Sequence, residues 1–356
     1  MDIYRNKVSV IIPTYNCRNY VRESIESVLA QSWPNIEIII QDNASSDDTY
    51  NIELEYARKY PKKVTLFRNV VNSGGCTQNI MLAMPYLLQS PGFLYFFSGD
   101  DVMYPHCIER CVNAAIAYPS AGLFHIERDE INMDGTPRHY LPFYDRTFFC
   151  EGKKHAPVMM MSGLTTLSQI MVRKDHFRPD CISFVFFIPT DWFLNFTMAM
   201  RTDTVYLQKP GIAYRIAEGN ETSHAIRSTM QIIEHYQMLL DFVRSAKIAN
   251  VPTVYNREKE AVAHLAQMAV RYAVQMVKRG FDDTAKDYLD FALILDKKAK
   301  INKLFKLIHD FLYTNNSKDR ADVLNLIDKS NSAMRTVSYN PPEGFTEFNE
   351  KKIKDQ

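Results

Sequence analysis

The sharpest chemical feature of this 356-residue chain is an acidic doublet, Asp100-Asp101, just beyond the apolar run Phe93–Phe97. Adjacent side chains on an extended segment point to opposite sides, so the two carboxylates are badly placed to clamp one ion together. One of them, read as Asp101, can hold Mg²⁺ or Mn²⁺ through oxygen, while Asp100 accepts a hydrogen bond from a ribose hydroxyl. Hard cations of this kind take few protein carboxylates and fill their shells with water and phosphate oxygens. A strand-end turn capping a helix after Tyr104-Pro105 accounts for the same doublet equally well. Asp42 follows a second apolar run, Ile36–Ile40, and can accept the N3–H of a uracil-type base. The polar cluster after it, Asn43 to Asp48, is also ordinary loop and cap chemistry. Asn72-Ser73-Gly74-Gly75 either lets backbone approach a ligand closely or forms a flexible strand-to-helix turn.

These groups share a setting. The runs Val8–Ile12, Ile36–Ile40, Val64–Phe67, Phe93–Phe97 and Ala121–Ile126 are short and nearly continuously apolar, as strands buried on both faces are. Between them, Tyr20-Val21, Ser24-Ile25 and Val28-Leu29 recur at helical spacing until Trp33-Pro34. Ser46-Asp47-Asp48 supplies cap chemistry for a helix reaching about Tyr60. Pro105 stands as a first-turn proline for a helix carrying Ile108, Val112 and Ala115. The alternation predicts an α/β fold, Rossmann-like, with a mainly parallel sheet between helices. Ligands of such sheets bind beyond the carboxyl ends of the strands, where Thr14-Tyr15-Asn16, Asp42-Asn43, Asn72 to Gly75 and Ser98 to Asp101 all fall. Asn132-Met133-Asp134-Gly135 reads as a hairpin turn. From about Thr222 the pattern is helical, with helices expected over Glu258–Lys278, Thr284–Leu295 and Ile301–Leu312.

Composition narrows the function classes. Net charge is +1, from 42 basic and 41 acidic residues, so no global field draws the chain to nucleic acid. Six scattered cysteines without a CxxC pair suit a reducing cytoplasm. Cys107 and Cys111 sit four apart on a helix, a spacing that core packing explains as readily as a metal. The N-terminal sequence reads without a secretory leader and no stretch reads as a transmembrane helix. A cytoplasmic protein, at most peripheral at the inner membrane face, is expected.

Taken together, VSVIIPTYN (residues 8–16), IIIQDNASSDDT (38–49), NSGGCTQN (72–79) and FFSGDD (96–101) resemble the family 2 glycosyltransferases of the GT-A fold. Order, spacing and strand-end placement agree over roughly the first 220 residues. The resemblance implies a transferase domain over residues 1–221, a helical C-terminal region over 222–330 and a poorly ordered tail over 331–356. It implies that Pro13, Thr14, Tyr15 and Asn16 line the nucleotide pocket and that Asp42 contacts the base. Asn72, Gly75 and Asn79 would then close around the nucleotide and donor sugar, with Asp100 and Asp101 in the metal motif. Ser98 replaces that motif's usual first acid, and Gln78 stands where the family often has arginine.

The family also carries a later acidic pair whose second member is the catalytic base. Thr190-Asp191-Trp192 matches it, with threonine in place of the first acid and Asp191 as base. Without the resemblance, Thr190-Asp191 reads as a helix cap with an acidic first turn. Tyr214-Arg215 resembles a further element, in which Arg215 could neutralise phosphate. His224 is then the nearest substitute for a metal-binding histidine, Ala217 occupying the expected place.

The implied reaction is inverting transfer of a sugar from a nucleotide diphosphate donor, UDP favoured, to a hydroxyl of a glycan or lipid-linked acceptor, as in polysaccharide biosynthesis. Two alternatives stand: a catalytically idle nucleotide-sugar-binding module, and a scaffold built on the helical region. A nicotinamide-dependent dehydrogenase is disfavoured, because Pro13-Thr14-Tyr15-Asn16 occupies the place where its glycine-rich turn must be. The basic stretch Lys297 to Lys306, with Leu304, Phe305, Ile308 and Phe311 apolar, fits either an anionic lipid surface or a helix packed beneath a solvated lysine face.

Overall fold

The computed structural model describes residues 6–183, 190–216, 226–314, 319–331 and 338–350. The chain divides into two units, Met1–Ala217 with Ser338–Gln356, and Glu218–Val337.

In the first unit the apolar runs become strands β1 (Val8–Thr14), β2 (Ile36–Asp42), β3 (Val64–Arg68), β4 (Phe93–Phe96) and β6 (Ala121–Ile131). Helices α1 (Val21–Leu29), α2 (Thr49–Lys59), α3 (Cys76–Leu87) and α4 (Cys107–Ala117) alternate with them. The remaining elements are β5 (Val102–Met103), β7 (Pro137–Arg138), β8 (Phe148–Cys150), α5 (Gly152–Met161), β9 (Ile170–Arg173), α6 (Thr190–Ala199), β10 (Asp203–Arg215) and, near the C-terminus, β11 (Thr346–Glu347). One sheet runs β11-β8-β10-β6-β9-β4-β1-β2-β3, with β5 on β10 and β7 on β6. Pairings β1–β2, β2–β3, β1–β4 and β6–β10 are parallel, whereas β9 lies antiparallel between β4 and β6. The expected mainly parallel sheet between helices, with a helical region after it, is therefore the observed architecture.

Strand alternation explains why these runs are apolar at consecutive positions. Val8, Val10 and Ile12 pack with Val21, Ile25 and Val28 of α1 and with Ile108 and Val112 of α4. Ile11 and Ile39 are equally buried but face the side covered by α3, whose Ile80, Met84 and Leu87 are buried. Each such aliphatic side chain contributes about 1.5–3 kcal/mol. Cys107 and Cys111 are core residues of α4, as their spacing allowed, and the Cys107 sulfur lies 3.2 Å from the Tyr95 hydroxyl.

The register puts Thr14 opposite Asp42 and Asp42 opposite Arg68, so the polar ends of three strands form one row. The expected turn at 132–135 is present: Asn132 N–H donates to the Thr136 carbonyl (2.8 Å), and Gly135 takes φ +84°. Pro105 lies ahead of α4 rather than in its first turn, because the Val102–Met103 pairing with β10 keeps the chain extended there.

Part of the expected loose tail is instead packed. Residues 338–350 belong to the first unit, where β11 pairs with β8. Phe348 packs on Tyr118, Phe345 on Phe148, and Arg110 binds Glu350 at 2.6 Å. Two aromatic anchors outweigh the local composition of Pro341-Pro342 and the lysines, which is what a sequence reading weighs.

The second unit contains α7 (Met230–Ile248), α8 (Pro252–Tyr255), α9 (Glu258–Arg279), α10 (Asp282–Leu295), α11 (Lys303–Tyr313) and α12 (Arg320–Asn331). Gly280, at φ +81°, ends α9 in the left-handed conformation that glycine adopts without strain. In α11, Phe305 and Ile308 are buried within the unit, while Lys297, Lys298, Lys300, Lys303 and Lys306 are exposed. The apolar stripe is thus used for packing under a solvated lysine face. Among the described residues no helix is long and apolar enough to cross a membrane.

Candidate active site

The row of strand ends carries a tightly interlocked set of polar side chains. Asn16, at φ +49°, turns the chain out of β1; its Oδ1 accepts the Ser46 N–H (2.8 Å), while its own N–H donates to Ser45 Oγ (3.0 Å). Asp42 is fully buried. Its oxygens accept the Ser45 N–H (3.2 and 3.3 Å) and pair with Arg68 Nε at 3.2 Å. Arg68 also lies over the Tyr50 ring. A base reaches the Asp42 carboxylate only where Arg68 gives way.

Asn72 and Asn79 are similarly committed. Asn72 Oδ1 accepts the Gly74 N–H (2.8 Å), and Asn43 Oδ1 accepts from both the Ser73 N–H and Asn69 Nδ2 (2.8 Å each). Asn69 Nδ2 also donates to Asn79 Oδ1 (2.9 Å), and Asn79 Nδ2 donates to the Gln41 carbonyl (2.6 Å). Asn79 is thereby a buried pin between α3 and β2, and Asn72 shapes the turn that Gly74 makes at φ +97°. Thr14 is buried, Pro13 and Gly75 are half-buried, and Tyr15 presents 52% of its surface to solvent.

The acidic doublet is built differently. Asp101 N–H donates weakly to the Ser98 carbonyl (3.4 Å), closing a turn rather than continuing the extended strand. Gly99 makes that turn fit, since a Cβ there would lie 2.9 Å from Thr14 Cγ2. Asp101 is 1% exposed; its Oδ1 accepts the Arg215 N–H (2.9 Å), but its Oδ2 has no partner at hydrogen-bonding geometry, although the Ser168 hydroxyl lies nearby. Desolvation, with repulsion from Asp100, pushes its pKa up to about 8. Asp100 is half-buried and is also raised by desolvation, against an opposing pull from Arg215.

Arg215 is not a free phosphate ligand here. Its guanidinium donates to the carbonyls of Asp100 (2.8 Å), Asn132 (3.2 Å) and Met133 (3.1 Å), pairs with Glu23 at 2.8 Å and lies over Tyr20. It is 3% exposed and braces the acidic turn against β6 and α1. His224 lies outside the described residues.

Asp191 occupies the first turn of α6 and is half-buried, with Oδ1 accepting the Trp192 N–H at 2.7 Å. Desolvation raises its pKa to about 6. Thr190 is buried and its hydroxyl is hydrogen-bonded to that of Thr77, at the start of α3. The α6 helix is fixed from behind by Asn195, which meets His125 Nε2 (2.8 Å) and donates to Thr165 (3.1 Å).

One residue with no motif to announce it links the two acidic positions. Arg128, on β6, is held between the rings of Tyr140 and Tyr214, its guanidinium carbon 4.7 Å from each centroid. It donates to Gln169 Oε1 (3.1 Å) and Glu130 Oε1 (2.9 Å), and its buried Nε has no partner. Its charge lowers both Asp101 and Asp191. Tyr214, in turn, is raised first by desolvation and then by a field that includes Asp101, Asp100 and Asp191. Asp100, Asp101 and Asp191 therefore occupy one electrostatic neighbourhood around the Arg128–Tyr214 pair. The sequence signal for Arg128 is slight: an arginine directly after the otherwise buried strand segment Ala121–Glu127.

The model for glycosyl transferase family 2 matches residues 9–178. These residues form a family 2 glycosyltransferase domain. An uncharacterised glycosyltransferase of Rickettsia prowazekii is 38% identical over 112 residues, 32% of this chain and 33% of that protein. The dTDP-rhamnosyl transferase RfbG of Shigella flexneri is 25% identical over 216 residues, 58% of this chain and 72% of that one. The chain spans a third or less of the length of the Rickettsia relatives it matches. Among solved structures, residues 1–349 of TarS from S. aureus, in complex with UDP-GlcNAc, superpose with a TM-score of 0.59. That match is 18% identical and covers 96% of this chain and 99% of that one, which establishes the GT-A fold. The acidic doublet lies within the matched residues and Asp191 beyond them, and the loops after β1, β2 and β3 are hydrogen-bonded to one another.

Proposed function

We propose that the chain transfers a sugar from a nucleoside diphosphate donor, UDP or dTDP, to a hydroxyl of a glycan or lipid-linked acceptor with inversion at the anomeric carbon. The observation that carries this reading is the buried Asp101 carboxylate, whose Oδ2 is left without a partner beyond β4 and which shares with Asp191 the charge of Arg128. Asp191 takes the proton of the acceptor hydroxyl as the new bond forms. A carboxyl raised to about 6 suits a general base at neutral pH, being ionised yet more basic than an ordinary aspartate. With a single base and no second nucleophile assigned, direct attack from the face opposite the diphosphate inverts the centre.

Asp101 fits a divalent cation, because its buried Oδ2 lacks a partner and its carboxyl is held high by desolvation, a state that a positive charge relieves. Mn²⁺ or Mg²⁺ bound there would act as a Lewis acid on the departing diphosphate. Among the described residues no group of three His, Cys, Asp or Glu side chains could enclose a metal, so donor phosphates and water would complete the shell. Asp100 is left for the ribose, Tyr15 offers an exposed ring beside the nucleotide, and Arg215 supports the doublet rather than the phosphates. Screening UDP- and dTDP-sugars for hydrolysis and transfer with and without Mn²⁺ tests the proposal. Metal-dependent turnover is the expected result, and donor binding without turnover under any condition would favour the idle binding module.

A further inference from the structure

The structure offers a use for one residue at which the chain departs from the pattern of the family it resembles. Thr190 stands where an acid was expected, and its hydroxyl is bonded to that of Thr77. Both side chains are almost wholly buried, at 3% and 2% exposure. Each stands in the first turn of a helix: Thr77 is the second residue of α3, immediately after the Asn72–Gly75 turn, and Thr190 is the first of α6, immediately before Asp191. The two helices are otherwise anchored to different supports. Asn79 ties α3 to β2 and to Asn69, whereas Asn195 and the Trp192 indole tie α6 to β6, to Thr165 and to the Met159 carbonyl.

We infer that the Thr77–Thr190 hydroxyl pair is a positioning joint that couples the donor-side turn to the base-bearing helix. This rests on the nucleotide-site reading given above. A hydroxyl can donate and accept at once, so two threonines satisfy each other without a charge. An acid at position 190 would instead place a second carboxylate beside Asp191 and raise the cost of ionising it. Neither threonine is assigned to substrate. Their effect is exerted through the Asn72–Gly75 turn on one side and Asp191 on the other. When a ligand orders the turn and the start of α3, the joint carries that ordering to the first turn of α6. A buried hydroxyl pair holds this link firmly, because breaking it strands two polar groups away from water.

Hydrogen exchange measured on the full chain, with UDP plus Mn²⁺ and separately with dTDP plus Mn²⁺ as probes, tests the coupling. In the wild type, the nucleotide slows exchange both at 72–80 and at 190–195. In Thr190→Val and Thr77→Val the slowing at 72–80 persists, while that at 190–195 drops by about threefold or more, the size expected when contacting partners are uncoupled. Thr190→Ser keeps the hydroxyl and restores it. Melting curves establish that each variant is folded, and Thr190→Ser discriminates even where a valine variant fails to fold. Full protection of 190–195 in the valine variants, or its loss in Thr190→Ser, overturns the joint while leaving the nucleotide reading intact. No slowing at 72–80 with either nucleotide in the wild type overturns the nucleotide reading and the joint with it.

Discussion

The two halves of the candidate site differ in how their polar loop residues are used, although Gln78 and Glu53 beside the first half also hold buried polar atoms without partners. After β1, β2 and β3, Asn16, Asp42, Asn43, Asn69, Asn72 and Asn79 pair with one another and with backbone. Around β4, β6 and α6, Asp101 keeps an unpartnered buried oxygen, Arg128 an unpartnered Nε, and Asp191 a raised pKa. Burying an unpaired polar atom costs about 1–3 kcal/mol, so the second half is held in place by its surroundings at the expense of stability. Such a site gains from anything that supplies the missing charge or proton. The first half shapes a surface, and the second is where chemistry is available.

Breaking the second half should produce the largest effects. Asp101→Asn is expected to lower transfer by about 10²–10³-fold, the scale of losing one charge-stabilising group, and to abolish any rise in melting temperature on adding Mn²⁺. Next comes the charge that the two acids share. Wild-type activity should fall as pH drops through about 6, where Asp191 becomes protonated. In Arg128→Met, which removes a charge that lowers Asp191, that limb should move upward, and a shift of about one pKa unit would lower the rate at pH 6 by about fivefold. A pH–rate profile checks both.

The first half should answer differently. Asn69→Ala should cost about 1–3 kcal/mol by removing the donor to Asn79 Oδ1 and the acceptor of Gln41 Nε2, read by denaturant melts, with the acidic limb unmoved. The smallest and most discriminating change is Glu53→Gln beneath that network. Glu53 is fully buried and desolvation raises its pKa to about 8. Because the folded value lies above the unfolded one, its contribution to stability is complete below about pH 4 and is lost as pH rises through 8. The glutamine variant should therefore gain about 1 kcal/mol or more over wild type near pH 8, with no gain in acid.

Much of this was legible in the sequence, and the gaps have physical causes. Nearly continuous apolar runs such as Val8–Ile12 and Ile36–Ile40 read as strands covered on both faces, and the four motifs fell at the strand ends where ligands of such sheets bind. What stayed hidden was how side chains were used. Nothing in a string of residues says that Arg215 points at Glu23 and three carbonyls, or that Asp42 is covered by Arg68. Arg128 was obscure because its two tyrosines come from positions 12 and 86 residues further along the chain. The strap at 338–350 was hidden because Phe345 and Phe348 lack a periodic pattern and dock on partners some 200 residues earlier.

The most direct test compares Asp191→Asn with the wild type in two assays on the same preparation: calorimetric binding of UDP or dTDP with Mn²⁺, and transfer from whichever nucleotide sugar turns over. If Asp191 is the base, nucleotide affinity stays unchanged while transfer falls by about 10²–10⁴-fold, the usual contribution of a general base. Transfer that survives the substitution at the wild-type rate and pH profile would contradict that role.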